Sequence, residues 1–312
     1  MDESARVLHS WRMRKPTIAT AALLLAAALT VVGAAPAFAA KPAQPGSAPT
    51  GVDVAWPQCG AKLPSGQLFG VVGVNGGTAA NFSPCLPAQY AWAKSTAGTT
   101  PLGTASLYVN TADPAGQGSW WPKSDTDQPA VGAQPYPTGA LPAGPVTYPN
   151  GTPAGCGTAA PYGAQCAYVY GYVRAEQAVE WAKEQLGAAF DAKAVRWWLD
   201  TETSNTWQAD TTANAASLAG AATYLSRAGL GVGIYSTTAQ YRTIVGATGA
   251  GVVNLPNGER SPLGGLPEWG AGASSLKGAQ SNCGVATFTG GPMWITQYLS
   301  GGVDYDVSCL HS

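Results

Sequence analysis

The sequence is poor in the side chain that most often carries proton transfer and metal binding. Of its 312 residues only two are histidine, His9 and the penultimate His311. A Ser-His-Asp triad, a Cys-His dyad or a histidine-based zinc site is therefore hard to assemble. Any proton transfer in this protein is expected to rest on carboxylates.

Charged side chains are scarce as well. They make up 11% of the sequence and add up to a net charge of −1. Residues 1–39 hold four of the 16 basic and two of the 17 acidic residues, so that their removal would leave 12 and 15 and a net charge of −3. This balance gives no electrostatic basis for binding nucleic acid or an anionic membrane.

Residues 1–39 have the features of a secretory signal. A basic stretch that ends at Lys15 precedes an apolar run over residues 18–32, and residues 37–39 match an A-x-A cleavage site. The alternative is a retained membrane anchor, which the proline just before the cleavage site disfavours. We therefore expect a secreted protein, and no comparable apolar run further along predicts a transmembrane helix.

Beyond that cleavage site the chain falls into two parts. Residues 40–50 are rich in Pro, Ala and Ser and are expected to form a flexible tether. Residues 51–312 have the length of one large domain, close to that of an eight-stranded α/β barrel. We expect the mature protein to be a monomer without stable membrane insertion.

The cysteines after residue 39 are even in number, and no C-x-x-C pair is among them. In an exported chain this favours disulfides over metal thiolates, with a reactive thiol as the functional alternative. Several pairings are possible. We predict the sequential one, because each bond would then close a loop near its own neighbour: Cys59–Cys85, Cys156–Cys166 and Cys283–Cys309.

The stretch from residue 196 to residue 207, RWWLDTETSNTW, is the most informative in the chain. It begins as an apolar, aromatic run typical of a buried strand, and it continues into Asp200 and Glu202. Because successive strand residues alternate between faces, these two carboxylates point the same way. At the carboxyl end of a parallel strand they would project into the mouth where α/β barrels carry their chemistry. The structural alternative is a strand end with two solvated acids.

Strand-like and helix-like segments alternate along most of the chain. Strands are predicted at residues 51–56, 68–77, 106–110, 168–172, 196–200, 232–236, 293–298 and 302–307. Helices are predicted at residues 86–95, 176–186, 213–228 and 239–245. This alternation predicts an α/β fold, namely a (β/α)8 barrel of TIM type that tolerates some irregularity. An open doubly wound sheet is the alternative, but no G-x-G-x-x-G or phosphate-loop motif supports a nucleotide-binding version of it.

The alternation breaks over residues 113–166, after the third predicted strand. This segment holds ten prolines and nine glycines together with several Trp and Tyr residues, and it shows no sustained periodicity. An irregular segment this long is usually a functional loop or else disordered. Two interpretations stay open, namely an aromatic wall of a binding groove and a mobile insertion.

Acidic residues cluster at predicted strand ends: Asp53, Asp200, Glu202, Asp304 and Asp306. If the barrel closes, its first, middle and last strands bring these acids to one mouth. Crowding raises the pKa of at least one of them, which keeps a carboxylic acid protonated near neutral pH. By contrast, Glu176, Glu180 and Glu184 are predicted to form the solvated face of a helix.

Cleavage of a glycosidic bond needs such an arrangement. One acid protonates the leaving oxygen, and a carboxylate or a substrate group supports the oxocarbenium-like centre. The alternative is a structural network in which the acids satisfy one another. No metal or cofactor is predicted, because the His and Cys residues offer no ligand set.

Five segments in order resemble glycoside hydrolase family 25, the secreted lysozymes that cut peptidoglycan from an α/β barrel, and related domains of exported bacterial proteins. The segments are Gly51-Val52-Asp53-Val54, Leu199-Asp200-Thr201-Glu202, Gly233-Ile234-Tyr235-Ser236, residues 294–298 with their terminal Gln-Tyr, and Val303-Asp304-Tyr305-Asp306. Together they span most of the chain after residue 50.

The resemblance implies Glu202 as the general acid and Asp200 as the residue that orients the substrate or assists its N-acetyl group. It implies that Asp53 and Asp304 tune charge and position in the same site. The residues expected to contact the sugar are Trp56, Asn75, Tyr235, Trp269, Gln297 and Asp306. For the two tryptophans, packing in the core or at the rim is the open alternative. The expected substrate is peptidoglycan or a related polysaccharide.

The chain departs from the family pattern in three places. The third family strand carries aromatic and His residues where this chain has Tyr108-Val109-Asn110. The second family strand ends in a K-x-[ST]-E-G pattern, whereas residues 73–77, GVNGG, contain neither Lys nor Glu. The insertion over residues 113–166 is not part of the family core. Two functions therefore stay in view, a secreted glycoside hydrolase and a non-catalytic domain that binds carbohydrate or cell wall.

Overall fold

A computed structural model describes residues 50–98, 100–117, 120–129, 144–246, 254–285 and 288–310. The predicted signal segment 1–39, nearly all of the predicted tether 40–50 and His311 lie outside the described residues. Within the described part of the chain no helix is both long and apolar enough to cross a membrane.

Eight strands close into a barrel in the order in which they follow one another along the chain. They are β1 (Thr50–Val54), β2 (Gly70–Gly73), β3 (Ala105–Asn110), β4 (Arg196–Asp200), β5 (Gly231–Ser236), β6 (Glu268–Ala273), β7 (Met293–Ser300) and β8 (Val303–Ser308). Each neighbouring pair from β1 to β7 is parallel, whereas β8 is antiparallel to both β7 and β1. The predicted α/β barrel of TIM type is confirmed, and its irregularity lies in the closing strand.

Helices connect most of the parallel strands. They are α1 (Leu86–Lys94), α2 (Ala164–Leu186), α3 (Thr211–Arg227), α4 (Thr238–Val245) and α5 (Leu276–Asn282). The β1–β2 connection instead carries a 3-10 turn, Trp56–Gln58. Strand β7 turns directly into β8 through Gly301 and Gly302, both with positive φ. Because this hairpin reverses the chain without a crossover, β8 runs antiparallel.

The side chains of β4 show how each strand divides the core into two parts. Trp197 belongs to the layer between barrel and helices and donates from Nε1 to the Ala192 carbonyl oxygen at 3.0 Å. Trp198 fills the barrel interior, where its ring lies 5.9 Å from that of Trp269 in an edge-on arrangement. Because faces alternate along the strand, Asp200 lies on the same side as Trp198 and points into the barrel.

Helices α2 and α3 cross at two glycines. A Cβ at Gly171 would lie 1.8 Å from the carbonyl oxygen of Ser217, and a Cβ at Gly220 would lie 2.0 Å from that of Tyr168. Only glycine therefore lets the two backbones approach this closely. At this crossing α3 is enclosed, and every residue from 213 to 225 is buried.

The predicted strand at residues 168–172 is wrong, because these residues lie inside α2. Their alternating Tyr and Val side chains are typical of a strand, but in the folded chain this part of α2 is covered on several sides. Tyr168 packs against Tyr148 of the insertion at 4.7 Å, and Tyr172 packs against Tyr224 of α3 at 5.2 Å between ring centroids. A helix covered in this way needs no polar stripe, so the helical period is absent from its sequence.

The same packing overturns part of the predicted solvated face of α2. Glu176 is only 5% exposed, and burial raises its pKa to about 7. It lies near Tyr224 of α3, whose pKa is raised by burial and by the Glu176 charge. Glu184 is exposed as predicted, and Glu180 is partly exposed and pairs with Lys183 at 2.7 Å.

All three predicted disulfides are present. They join the end of the 3-10 turn to the start of α1, the insertion to α2, and the end of α5 to the residue after β8: Cys59–Cys85, Cys156–Cys166 and Cys283–Cys309. The irregular insertion accordingly ends at Gly163, since residues 164–166 already belong to α2. Three disulfides are typical of a protein from an oxidising compartment.

The helix crossing gives a first prediction. We expect Gly171→Ala to lower the free energy of unfolding by about 3 kcal/mol in urea denaturation, because the new methyl group meets α3 backbone rather than a flexible side chain. Gly157→Ala is the matched control, since a Cβ there meets nothing within 4 Å. Equal stability of the two variants would contradict the close crossing.

Candidate active site

A cleft of about 760 Å³ opens at the carboxyl ends of the parallel strands. Its lining combines carboxylates, amide side chains and aromatic rings: Asp53, Asp200, Glu202 and Asp304, then Gln58, Asn110, Asn205, Gln240 and Gln297, then Tyr108, Tyr235 and Trp269. No Lys, Arg or His is among the described residues of this lining. The negative charge of the cleft is therefore not offset there by a side-chain cation.

The insertion does not supply a wall of this cleft from its described residues, 113–117, 120–129 and 144–163. Its aromatic rings pack on α2 instead, as in the stacking of Trp121 on Tyr170 at 5.2 Å between centroids. The described part of the insertion therefore does not form an aromatic wall of the cleft.

Asp200, the last residue of β4, is only 4% exposed. Its Oδ2 accepts a hydrogen bond of 2.5 Å from Nδ2 of Asn110, which is its partner in the register of β3 and β4. Its Oδ1 is buried without a hydrogen-bond partner among the described residues. Burial and then the charge of Glu202 raise the pKa of Asp200 well above its usual range, whereas the bond from Asn110 lowers it.

Glu202 follows two residues later and lies half-buried in the wall of the cleft. Trp207 Nε1 donates to the Glu202 carbonyl oxygen at 2.7 Å and holds the loop in place. The side chain of Gln240 in α4 donates to the Glu202 carboxylate, and its Oε1 accepts from Thr203 N at 2.7 Å. Burial raises the pKa of Glu202, the Gln240 bond lowers it, and the charge of Asp304 raises it further.

A second group of acids lies on β1 and β8. Asp53 Oδ2 accepts from Gln297 Nε2 at 2.8 Å, and Gln297 Oε1 accepts in turn from Tyr235 Oη at 2.9 Å. Burial, followed by the charge of Asp304, raises the pKa of Asp53 to about 7, and the Gln297 bond opposes this rise. Asp304 is partly exposed in the cleft, and burial raises its pKa too.

Asp306 lies beneath the cleft rather than in its lining, which corrects the prediction that it contacts a sugar directly. It is fully buried, and its Oδ1 accepts from Trp269 Nε1 at 2.9 Å. Burial and then the charge of Asp53 raise the pKa of Asp306 well above its usual range. Two neighbouring buried carboxyl groups repel each other when both are ionised, so their proximity favours a protonated acid.

The aromatic residues play different parts. Trp269 lines the floor but is only 2% exposed, because Tyr235 and Tyr108 pack against it at 4.4 Å and 6.2 Å between centroids. Trp269 therefore supports the floor and offers little free face for stacking on a sugar. Trp56, in contrast, is 51% exposed on the 3-10 turn, directly before lining residues Pro57 and Gln58, although it is not itself part of the described lining.

Asn75, another predicted sugar contact, is a structural residue in the described fold. It is 2% exposed and does not line the cleft. Its Oδ1 accepts from the backbone N of Asn110 at 2.8 Å, and its Nδ2 donates to the carbonyl oxygen of Asn81 at 3.1 Å. Asn75 therefore fixes the strand end that carries the partner of Asp200.

The polar partners of the acids, chiefly Asn110 and Gln240, are not predicted from the sequence. Asn110 ends β3, the strand next to β4, so a polar residue at that strand end was the available signal. Gln240 lies in the first turn of α4, just beyond β5, and nothing in its local sequence connects it with Glu202. Among the described residues no group of three or more His, Cys, Asp or Glu side chains has the arrangement of a metal site.

Comparison with known proteins gives no close relative. No family model matches the chain, and no curated protein matches it. Among solved structures it is similar to the modular Cpl-1 endolysin complexed with a peptidoglycan analogue, as wild type (14% identity, TM-score 0.41) and as a mutant in complex with a tetrasaccharide-pentapeptide (13%, 0.44). Each match covers 85% of this chain and 55% of the endolysin chain. A likeness this remote carries no activity over to this chain.

The buried acids predict how stability depends on pH. The folded-state pKa of Asp53 is raised from 3.8 to about 7, so the folded protein holds a proton that the unfolded chain releases above about pH 4. The contribution of Asp53 to the free energy of unfolding is therefore complete at low pH and is lost as pH rises to about 7. The raised pKa values of Asp200 and Asp306 act in the same direction.

We expect the free energy of unfolding to fall between pH 5 and pH 8, and to fall less in Asp53→Asn, whose amide does not ionise. Urea denaturation at each pH measures both. Glu184→Gln, at an exposed position of α2, should follow the wild type. A wild type that gains stability with rising pH would show that the cleft acids are ionised in the folded protein.

Proposed function

We propose that the protein is a glycoside hydrolase that uses carboxylates for acid and base chemistry, with Glu202 as its general acid. The observation that carries the proposal is the pairing of Glu202 with Asp200 in different surroundings. Glu202 is half-buried and faces an open cleft, whereas Asp200 is enclosed and fixed by Asn110. Two carboxyl groups held in such different environments are how an active site separates their roles.

Glu202 suits the donation of a proton to a leaving oxygen. Burial and the charge of Asp304 raise its pKa, so a larger fraction of the side chain keeps its proton near neutral pH. Its carboxyl group is reached from the cleft, while Gln240 and the bond from Trp207 keep its position. Protonating the glycosidic oxygen lets the bond to the sugar break with oxocarbenium-like charge on the ring carbon.

The remaining acids then support the charge that develops on the sugar. Asp200 is placed to orient the substrate or its acetamido group through the hydrogen bond network that Asn110 begins. Asp304, partly exposed in the same cleft, adds negative potential on the β8 side when it is ionised, and Asp53 tunes position through its bond from Gln297. Negative charge that is already in place stabilises a cationic transition state without reorganisation.

The lining fits a polysaccharide. Its amide side chains can donate to and accept from hydroxyl and acetamido groups, and Tyr235 with Gln297 presents a fixed polar pair. The volume of about 760 Å³ exceeds what one sugar ring fills, and the cleft is open to solvent. Peptidoglycan or a related cell-wall polysaccharide is the substrate we propose, acted on outside the cell, which agrees with the three disulfides.

A second candidate is a barrel that binds carbohydrate without cleaving it. What favours it is that amide side chains already hydrogen-bond three of the cleft acids: Asn110 to Asp200, Gln240 to Glu202, and Gln297 to Asp53. Such a cluster could serve ligand binding alone. Release of new reducing ends separates the two functions.

We expect Glu202→Gln to lower the release of reducing ends from purified peptidoglycan by at least about a thousandfold, because the amide cannot donate a proton to the leaving oxygen. Glycan binding and thermal stability should persist, since Gln keeps the shape of the side chain. Glu184→Gln, on the exposed part of α2, is the matched control with wild-type activity. Undiminished turnover in Glu202→Gln would refute the assignment, and binding without release by the wild type would favour the second candidate.

The hydrogen bond from Gln240 predicts a shift in the pH profile. Because this bond lowers the pKa of Glu202, Gln240→Leu should move the alkaline limb of kcat/KM to higher pH. Thr203→Val is the control, since it removes the 3.0 Å bond from Thr203 Oγ1 to Gln240 without touching the Glu202 carboxylate. A limb that stays in place in Gln240→Leu would mean that another group sets it.

A further inference from the structure

The loop between β4 and α3, residues 201–210, carries the proposed general acid and is held at both ends by the chain that follows β3. Thr111 Oγ1 donates to the carbonyl oxygen of Asp200 at 2.5 Å, just before the loop begins. The backbone N of Asp113 donates to the carbonyl oxygen of Thr206 at 2.8 Å, close to where the loop ends. The start of the insertion therefore fixes the far end of this loop.

The side chain of Gln208 joins the loop to both ends of the insertion. Its Nε2 donates to Asp113 Oδ2 at 2.7 Å and to the carbonyl oxygen of Tyr162 at 3.3 Å. Asp113 is the first residue of the insertion, and Tyr162 directly precedes Gly163, where the insertion ends. One side chain of the loop thus binds the two points at which the insertion leaves and rejoins the barrel.

Asp113 is enclosed at this contact. It is fully buried, and its Oδ1 accepts from the backbone N of Ala115 at 3.3 Å. A buried carboxyl group is costly unless its oxygens accept hydrogen bonds, so these bonds matter for the fold. Among the described residues Ala115 is the one non-glycine residue with positive φ, at 47°. Such a backbone conformation persists only where the surrounding contacts impose it, which indicates that the chain beside Asp113 is held firmly.

Trp207 connects these contacts with Glu202. It stands between Thr206 and Gln208, the two loop residues that the insertion binds. Its Nε1 donates to the Glu202 carbonyl oxygen at 2.7 Å, and its ring packs against the core between barrel and helices. Because both neighbours of Trp207 are held, its indole is fixed, and the indole in turn fixes the backbone of Glu202.

We propose that Gln208 and Asp113 are positioning residues for Glu202, and that the two ends of the insertion serve this purpose. Neither side chain belongs to the described lining of the cleft, so both act through Trp207 rather than on a substrate. The proposal rests on the assignment of Glu202 as general acid, because a small displacement of a proton donor slows the reaction steeply.

Kinetics of the full mature protein on purified peptidoglycan test the positioning role. We expect Gln208→Ala to lower kcat by about ten- to a hundredfold with little change in KM, because the loop is released while the cleft lining stays. Asp113→Asn should keep most of the rate, since its amide oxygen still accepts from Gln208. Gln117→Ala, at an exposed position of the same insertion, is the matched control with wild-type kinetics.

The titration of the Glu202 carboxyl group, followed by carbon-13 NMR, is a readout that needs no turnover. Six glutamates follow residue 39, so labelling of glutamate alone gives few signals, and Glu202→Gln assigns one of them. Burial is the largest cause that raises the pKa of Glu202, so a loosened loop should titrate at lower pH. We expect this shift in Gln208→Ala, and neither in Gln117→Ala nor in Asp113→Asn.

The two readouts separate the positioning role from the proposed function. A wild type that releases no reducing ends would refute hydrolysis, and the Glu202 titration would still decide whether Gln208 positions the side chain. Asp113→Leu removes the same bond from its other partner and should reproduce the shift. An identical Glu202 titration in Gln208→Ala and the wild type would overturn the proposal, as would an unchanged kcat of Gln208→Ala in an active enzyme.

Discussion

The structure depends most on the burial of carboxyl groups at one barrel mouth with no side-chain cation among the described residues beside them. Desolvation raises the pKa of each of these acids, and their mutual repulsion adds to the rise. The fold tolerates the arrangement because protons and amide donors replace counter-charges. Asn110, Gln240 and Gln297 each donate to one acid, and the charge of Asp53 raises the pKa of Asp306.

The burial of these acids without cations links the stability of the fold to its proposed function. Acids that prefer their neutral form make the folded protein most stable where they are protonated, and the same preference keeps a general acid loaded near neutral pH. The amide partners then determine how far each pKa rises. Asn75 and Trp269 act one layer further out, where they hold Asn110 and Asp306 in place.

Much of the barrel could be predicted from sequence, because its strands are short apolar runs that end in polar residues. The alternation along residues 196–202 sufficed to place Asp200 and Glu202 in one mouth. Helix α2 was mistaken in part for a strand, since α3 and the insertion cover it and remove the polar stripe that marks a helix. Asn110 and Gln240 could not be predicted as partners of the acids, because strand register and helix placement, rather than local sequence, bring them there.

The central claim is that the cleft hydrolyses a glycosidic bond with Glu202 as the proton donor. Digestion of peptidoglycan in water enriched in oxygen-18, followed by mass spectrometry of the fragments, tests it most directly. We expect one labelled oxygen at each new reducing end, and no new ends with Glu202→Gln. Fragments without label, or equal labelling by the variant, would contradict it.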